Sequence, residues 1–373
     1  MKLLLIAPLP PPATGHSIAA KTLLDALERR HTVTVVNLSK EGFRHGVDSI
    51  ARIADVARIL VKVRREKETA DVIYLTISES LAGNIKDLLI YAICFAKLPQ
   101  FVIHLHGGSI KKVLFDRSVL LRRINKFFLS RLGGAVILGE SHREIFSSLV
   151  AADRIHIVPN SAADDVFLSE GAVRAKFASD DRLRVLFLSN LIEGKGHVEL
   201  VEAYRALDVD LRARVQIDFA GAFESDRERD LFEQQIRGLD GVYYHGVVEG
   251  RAKLDLLSSA HILCLPTSLF EGQPISILEA YAAGCVVMTT AQGGIPDVFK
   301  GGVNGYQIEP KSADSIRQSL ERALTERDRL LPIALSNMTS ARQTHSASTY
   351  SSALIDIVEG LAEPTRSLHA FGG

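Results

Sequence analysis

The sequence predicts an α/β protein built as two doubly wound, Rossmann-like domains. At 373 residues the chain is long for a single hydrophobic core, so two are expected. Short apolar runs alternate with longer amphipathic stretches, the pattern of parallel sheets covered by helices. The alternation breaks in a polar stretch from Asn160 to Asp181 and then starts again.

In the first series, Lys2–Ala7, Thr32–Asn37, Val72–Leu75, Phe101–His104 and Ala135–Leu138 are apolar runs of strand length. Between them, Ile18–Glu28, Ile50–Glu66 and Ser118–Leu132 carry helical periodicity. The start of the 160–181 stretch reads as an inter-domain linker. Beyond it, Arg184–Leu188, Val215–Ala220, Val242–His245, Ile262–Leu265 and Val286–Thr289 read as strands, with His197–Leu207 as a helix. Ser348–Leu361 is helical again. The expected division is 1–165 for the first domain and 166–347 for the second, with the terminal helix 348–373 packing back on the first. In such sheets ligands lie beyond the carboxyl ends of the strands, so two such edges would line one cleft.

Composition narrows the function classes. The 44 basic residues balance the 44 acidic ones, which argues against a general nucleic-acid binder. Apolar content of 47% and charged content of 24% are those of an ordinary soluble globular protein. Cys94, Cys264 and Cys285 sit in apolar runs without ligand spacing and read as small buried hydrophobes in a reducing compartment. The apolar opening Leu3–Ala7 is too short for a signal peptide and runs into Pro8, Pro10, Pro11 and Pro12. Leu88–Ala96, the longest apolar stretch, falls far below the roughly 20 residues that span a bilayer. A cytoplasmic protein without a membrane span is expected.

The densest chemistry lies in Phe270-Glu271-Gly272-Gln273-Pro274-Ile275-Ser276-Ile277-Leu278-Glu279. Glu271 belongs to a loop after a strand, and Glu279 lies about a turn and a half into the following helix. Gly272 lets backbone approach a ligand closely, and Pro274 suits the first helical position. The unpaired amides of that first turn, around Gln273 to Ile275, can receive phosphate or sugar oxygens. Two carboxylates flanking such amides suit a polyhydroxylated, phosphate-bearing molecule such as a nucleotide sugar. By chemistry alone Glu271 could also be a nucleophile or general base.

Other residues join this set. Lys195, between Gly194 and Gly196 ahead of a helix, can stabilise a leaving diphosphate. Gly15, after the proline-rich loop, could bring amides to a phosphate. His104 and His106 share one strand face. An H-x-H pair could ligate a metal, but no third ligand is evident, so no metal is expected. His106, followed by Gly107-Gly108, is the better candidate for hydrogen bonding a sugar, with His104 packed deeper. Two basic amphipathic stretches, 58–67 and 111–131, have the pattern of surfaces that lie on anionic membranes.

Glu271 and Glu279 resemble the paired glutamates of retaining glycosyltransferases of family 4, which have the GT-B architecture. The resemblance covers essentially the whole chain. Ala13-Thr14-Gly15-His16-Ser17 is similar to that family's first glycine loop, and His104-Leu105-His106-Gly107-Gly108 to its His-Gly strand end. Val158-Pro159-Asn160-Ser161 is similar to its crossover segment, Leu188–Gly196 to the first loop of the nucleotide domain, and Gly293-Gly294-Ile295-Pro296-Asp297 to its second glycine loop. Ser189-Asn190 replaces the family's usual Gly-Arg pair, which leaves Lys195 carrying more of the charge. Gly272-Gln273-Pro274 stands where many relatives have Gly-Phe-Gly or Gly-Phe-Pro.

The resemblance implies a metal-independent hexosyltransferase with no cofactor, the nucleotide sugar being a substrate. The donor would be a UDP-sugar, with GDP-mannose as the other option, and the acceptor a hydroxyl on a lipid-linked or polysaccharide glycan. Glu279 would bind the ribose, Glu271 the transferred sugar, Lys195 and Asn190 the diphosphate side, and Gly246 the base. His106, Glu271 and Lys195 are the candidate catalytic groups, and domain closure would exclude water. Two readings from other classes stay open: a sugar-nucleotide epimerase of the same architecture, and a non-catalytic partner subunit, motivated by Asn190. No G-x-G-x-x-G follows a predicted strand, which argues against a Rossmann dehydrogenase.

Overall fold

The computed structural model describes residues 1–11, 14–39, 49–178 and 182–362, and of 49–52 the backbone alone. Ala13 of the first glycine loop, the end of the 160–181 stretch and the expected terminal helix past 362 lie outside the described residues. The chain forms two compact units, dividing after Asn160, and the segment from Ser348 belongs to the first.

The first unit runs β1 (Lys2–Ala7), α1 (Gly15–Glu28), β2 (Thr32–Asn37), α2 (Ser49–Glu66), β3 (Val72–Thr76), α3 (Leu81–Ile93), β4 (Phe101–His104), α4 (Val119–Leu129), β5 (Gly134–Ile137), the short α5 (Arg143–Phe146) and β6 (Ile155–Ile157). Its described residues form six strands, all parallel, in the order β2-β1-β3-β4-β5-β6. Side chains alternate across each strand, so one strand feeds two cores. In β1, Leu4 and Ile6 enter the core on one face, and Leu3 and Leu5 the core on the other.

The second unit runs α6 (Glu170–Ala178), β7 (Leu183–Leu188), α7 (His197–Arg205), α8 (Val209–Arg212), β8 (Val215–Ala220), α9 (Asp226–Ile236), β9 (Val242–Tyr244), α10 (Gly250–Ser259), β10 (Ile262–Leu265), α11 (Ile275–Ala282), β11 (Val286–Thr289), β12 (Gly305–Gln307), α12 (Ala313–Thr325) and α13 (Arg327–Thr344). Its strands are also parallel, in the order β12-β11-β10-β7-β8-β9. Counted from β7, this is the dinucleotide-fold order, whose direction reverses between β7 and β10.

α14 (Ala347–Ala362) returns to the first unit. Tyr350, Leu354, Ile355 and Val358, at helical spacing, join Leu3, Leu5, Leu23 and Leu27 in one core.

Several expectations are refined. The units divide at the start of the 160–181 stretch, where the linker is expected, but the described rest of the stretch is structured. Helix α6 within it buries Val173 in the second core, where Val173 meets the backbone of Gly284. The basic stretch 111–131 comprises a short π-helical turn at Lys111–Phe115 and then α4, which lies within the expected helix Ser118–Leu132. The three-residue strands β6 and β12 escape the sequence reading because neither contains an apolar run.

Candidate functional site

In the second unit, the β7–α7 loop carries Lys195 and the β10–α11 loop carries Glu271. Both follow strands at the point where the strand order reverses, where connections leave in opposite directions and open a crevice. The two loops are stitched together by the Gly194 carbonyl. It accepts hydrogen bonds from the Ser268 amide (2.7 Å) and hydroxyl (3.2 Å). Gly196, with φ +91°, closes the first loop, and a Cβ there would stand 2.3 Å from the Pro266 carbonyl oxygen.

These loops bring Lys195 and Glu271 together. The Lys195 ammonium donates to both carboxylate oxygens, at 2.7 and 2.9 Å. The Thr267 hydroxyl adds a third donor, 2.6 Å from Oε1. The pair is largely shielded, with side-chain exposures of 16% and 11%, so its attraction is less screened than at the surface. From the other side the glycine loop at 293–294 reaches the Glu271 backbone: the Gly294 amide donates to its carbonyl at 3.0 Å. A Cβ on Gly293 would lie 2.1 Å from that same oxygen. The glycines of this loop therefore support Glu271 through its main chain.

α11 starts one residue later than expected. Pro274 is its N-cap rather than its first residue, since its φ of −61° comes with an extended ψ of 117°. Ile275 is the first helical residue, and Gln273 is buried beside it. The helix ends in a Schellman motif: the Gly284 amide donates to the Tyr281 carbonyl, and the Cys285 amide to that of Ala280.

Glu279 is buried, 3% exposed, and Lys253 of α10 donates to its Oε1 at 2.5 Å. Burial pushes the Glu279 carboxyl above its ordinary range, while Lys253 pulls it back down and Asp165 adds a smaller upward push. Sequence reasoning missed both Lys253 and Thr267. Thr267 lies four residues before Glu271, a local signal that could have found it. A lone lysine 26 positions from its partner carries none.

Asn190 is exposed in the Lys195 loop. Gly246, with φ +69°, lines a hollow of about 810 Å³ with Phe223, Ser225, Arg229, Tyr244 and Val247.

The first unit gathers a histidine cluster at the end of β4. His104 is fully buried and shares a hydrogen bond with the Tyr74 hydroxyl. His106 is 4% exposed, its ring centroid 3.9 Å from that of His104 and 5.3 Å from that of His16. Burial pushes His104 down to about 3. It pushes His106 well below the usual range, helped by His104 and His16, while Asn160 acts in the opposite direction. Both rings are therefore neutral at pH 7. Among the described residues, no group of three His, Cys, Asp or Glu is spaced to hold a metal ion. The loop after His106 folds around Glu79, whose Oε1 accepts from the amides of Ser109 (2.5 Å) and Ile110 (3.0 Å). A Cβ on Gly107 would fall 1.8 Å from its other oxygen. Gly15 is the first residue of α1 rather than a loop residue, because Thr14 caps the helix by accepting from the Ser17 amide at 3.2 Å.

Residues 170–338 match the profile of the family described as Glycosyl transferases group 1. Over 147 residues the chain is 31% identical to an uncharacterized glycosyltransferase of Methanocaldococcus jannaschii, covering 39% of this chain and 37% of that protein. Over 198 residues it is 25% identical to the lipopolysaccharide 1,2-N-acetylglucosaminetransferase of Salmonella typhimurium, covering 50% and 52%. The chain thus spans about half the length of these relatives or less. Among solved structures, Anabaena HepE in complex with UDP superposes with a TM-score of 0.73 at 16% identity, covering 96% of this chain and all of that one. Sucrose-phosphate synthase of Thermosynechococcus elongatus gives 0.73 at 15%, covering 96% and 98%. Residues 170–338 are thus similar to the glycosyl transferases group 1, and the chain shares its two-unit α/β fold with solved glycosyltransferases of GT-B architecture.

Proposed function

We propose that the protein transfers a sugar from a nucleoside diphosphate donor, a UDP-sugar in preference to GDP-mannose, to a hydroxyl of a lipid-linked or polysaccharide acceptor, with retention and without a metal. The observation that carries this reading is the switch point of the second unit, where Lys195 and Glu271 pair beside the helix that holds Glu279. Glu279 would accept hydrogen bonds from the ribose diol, and the first-turn amides of α11 would receive diphosphate oxygens. Lys195 would turn from Glu271 toward the leaving phosphate, and Glu271 would hold hydroxyls of the transferred sugar. In the retaining step the bond from C1 to the phosphate oxygen breaks. The acceptor oxygen bonds C1 on the same face, and its proton passes to the leaving phosphate. Neutral His106 would serve the reaction as a hydrogen-bond partner of the sugar. Anabaena HepE was solved with UDP and glucose, and the Salmonella relative is named for transfer onto lipopolysaccharide, which supports both the donor and the acceptor class.

A thermal-shift screen of UDP, GDP and their sugars tests this. The matching nucleotide at a hundredfold excess over Kd raises Tm by roughly 5–10 °C, and Glu279→Ala abolishes the rise. No shift with any nucleotide would sink the reading. A shift without nucleotide release in the presence of a membrane-lipid acceptor extract favours the partner-subunit reading, which Asn190 motivates.

Among the described residues, no helix is long and apolar enough to cross a membrane. We propose instead peripheral attachment through the first unit. Ile85 and Leu89 of α3 and Leu120, Ile124 and Phe127 of α4 are exposed, and Phe95 stacks on Phe127 at 6.0 Å. α4 carries Arg122, Arg123 and Lys126 and no acidic residue, and Arg58, Lys62, Arg64 and Arg65 of α2 are exposed as well. Each basic side chain near an anionic surface contributes about 1 kcal/mol. The protein should cosediment with phosphatidylglycerol vesicles at low salt and not with neutral ones, and Ile124→Ser with Phe127→Ser should release it. Indifference to both vesicle types would remove the proposal.

A further inference from the structure

Lys253 occupies a costly position. On α10 it lies one turn before Leu257, which is buried in the second core, so an apolar residue would be the cheaper occupant of that face. The lysine side chain is 21% exposed and its ammonium meets Oε1 of Glu279, whose side chain is 4% exposed. A carboxylate this far from water is either paired or protonated. Lys253 and Asp165 are the charged groups that act on it, and Lys253 alone favours its ionised form.

The chemistry of a vicinal diol makes that difference matter. Two hydroxyls donate to a carboxylate, which has about four lone-pair sites, and a single ammonium contact leaves the others available. A protonated carboxyl loses one of those sites and presents a donor instead.

We propose that Lys253 is a positioning residue for nucleotide binding, holding Glu279 ionised and aimed at the ribose diol of a nucleoside diphosphate. This rests on the ribose-binding role of Glu279 given above. Lys253 acts through Glu279, so its loss makes nucleotide affinity depend on pH.

The test is calorimetric titration of UDP and GDP into the wild type, Lys253→Met, Lys253→Arg and Glu279→Gln between pH 5.5 and 8. Lys253→Met should bind about tenfold more weakly at neutral pH. Its deficit should grow as pH falls, because Glu279 protonates earlier without its ammonium partner, and Lys253→Arg should restore the wild-type profile. Should Lys253→Met fail to fold, Lys253→Gln carries the same test. A wild-type profile in Lys253→Met overturns the proposal, as does a uniform loss that ignores pH and is not rescued by arginine. If Glu279→Gln binds normally, the ribose role fails and takes this inference with it. If Glu279→Gln is weak while Lys253→Met is normal, only the inference fails.

Discussion

Taking the protein from pH 7 to pH 5 should cost each unit a few kcal/mol of stability. Burial holds His104 at about 3 and His106 well below its ordinary value in the first unit, and holds His197 and His261 at about 4 in the second. A histidine depressed by folding takes up its proton more readily in the unfolded chain. Its contribution is therefore fully present above about pH 6.5 and is lost as pH falls toward the folded value. One fully depressed histidine costs about 2 kcal/mol at pH 5, and two per unit cost ~4 kcal/mol, a large share of an ordinary domain's stability. Asp87 and Glu279, raised by burial, work in the opposite sense, since a raised carboxyl gains stability as pH falls. Lys86 and Lys253 pull each of them back, so the histidines dominate. Urea unfolding at both pH values measures the difference. Equal midpoints would show that the four rings are not held neutral by burial.

Replacing Lys195 should have the largest effect on transfer. Lys195→Ala removes a cation that donates twice to Glu271 and leaves that carboxylate with the Thr267 hydroxyl. A preorganised charge aimed at a leaving group is worth about 10²–10³ in kcat, and Asn190 offers no second cation in this loop. Nucleotide release from the donor that gives the largest thermal shift should fall by that factor, with UDP affinity weakened as well. Glu271→Gln should lose a comparable rate while binding UDP nearly normally, because its proposed role is to hold the sugar rather than the nucleotide. If Lys195→Ala stays within a few-fold of the wild-type rate, the diphosphate is neutralised elsewhere and the role given to this loop is wrong.

Much of the fold was legible because parallel strands buried on both faces are nearly continuous apolar runs. β1, β4, β8, β10 and β11 lie where those runs predict them, as does the half-buried edge strand β2. β6 and β12 were not legible, since His156 interrupts one and Gly305 opens the other. They are strands because a neighbouring strand offers them a ladder. The start of α1 was set by the Thr14–Ser17 cap, which outweighs the poor helix propensity of Gly15.

The sequence by itself determined the two α/β units, the strand–loop–helix setting of Glu271 and Glu279, and the glycine loops around them. These depend on local periodicity and backbone freedom, which residue order records directly. Only the tertiary structure decided the charge partners. Glu271 meets Lys195 because their strands are neighbours where the sheet order reverses, and Glu279 of α11 meets Lys253 of the preceding helix α10 across 26 positions of chain. Such pairings arise from packing distances between residues tens of positions apart, which no local pattern encodes.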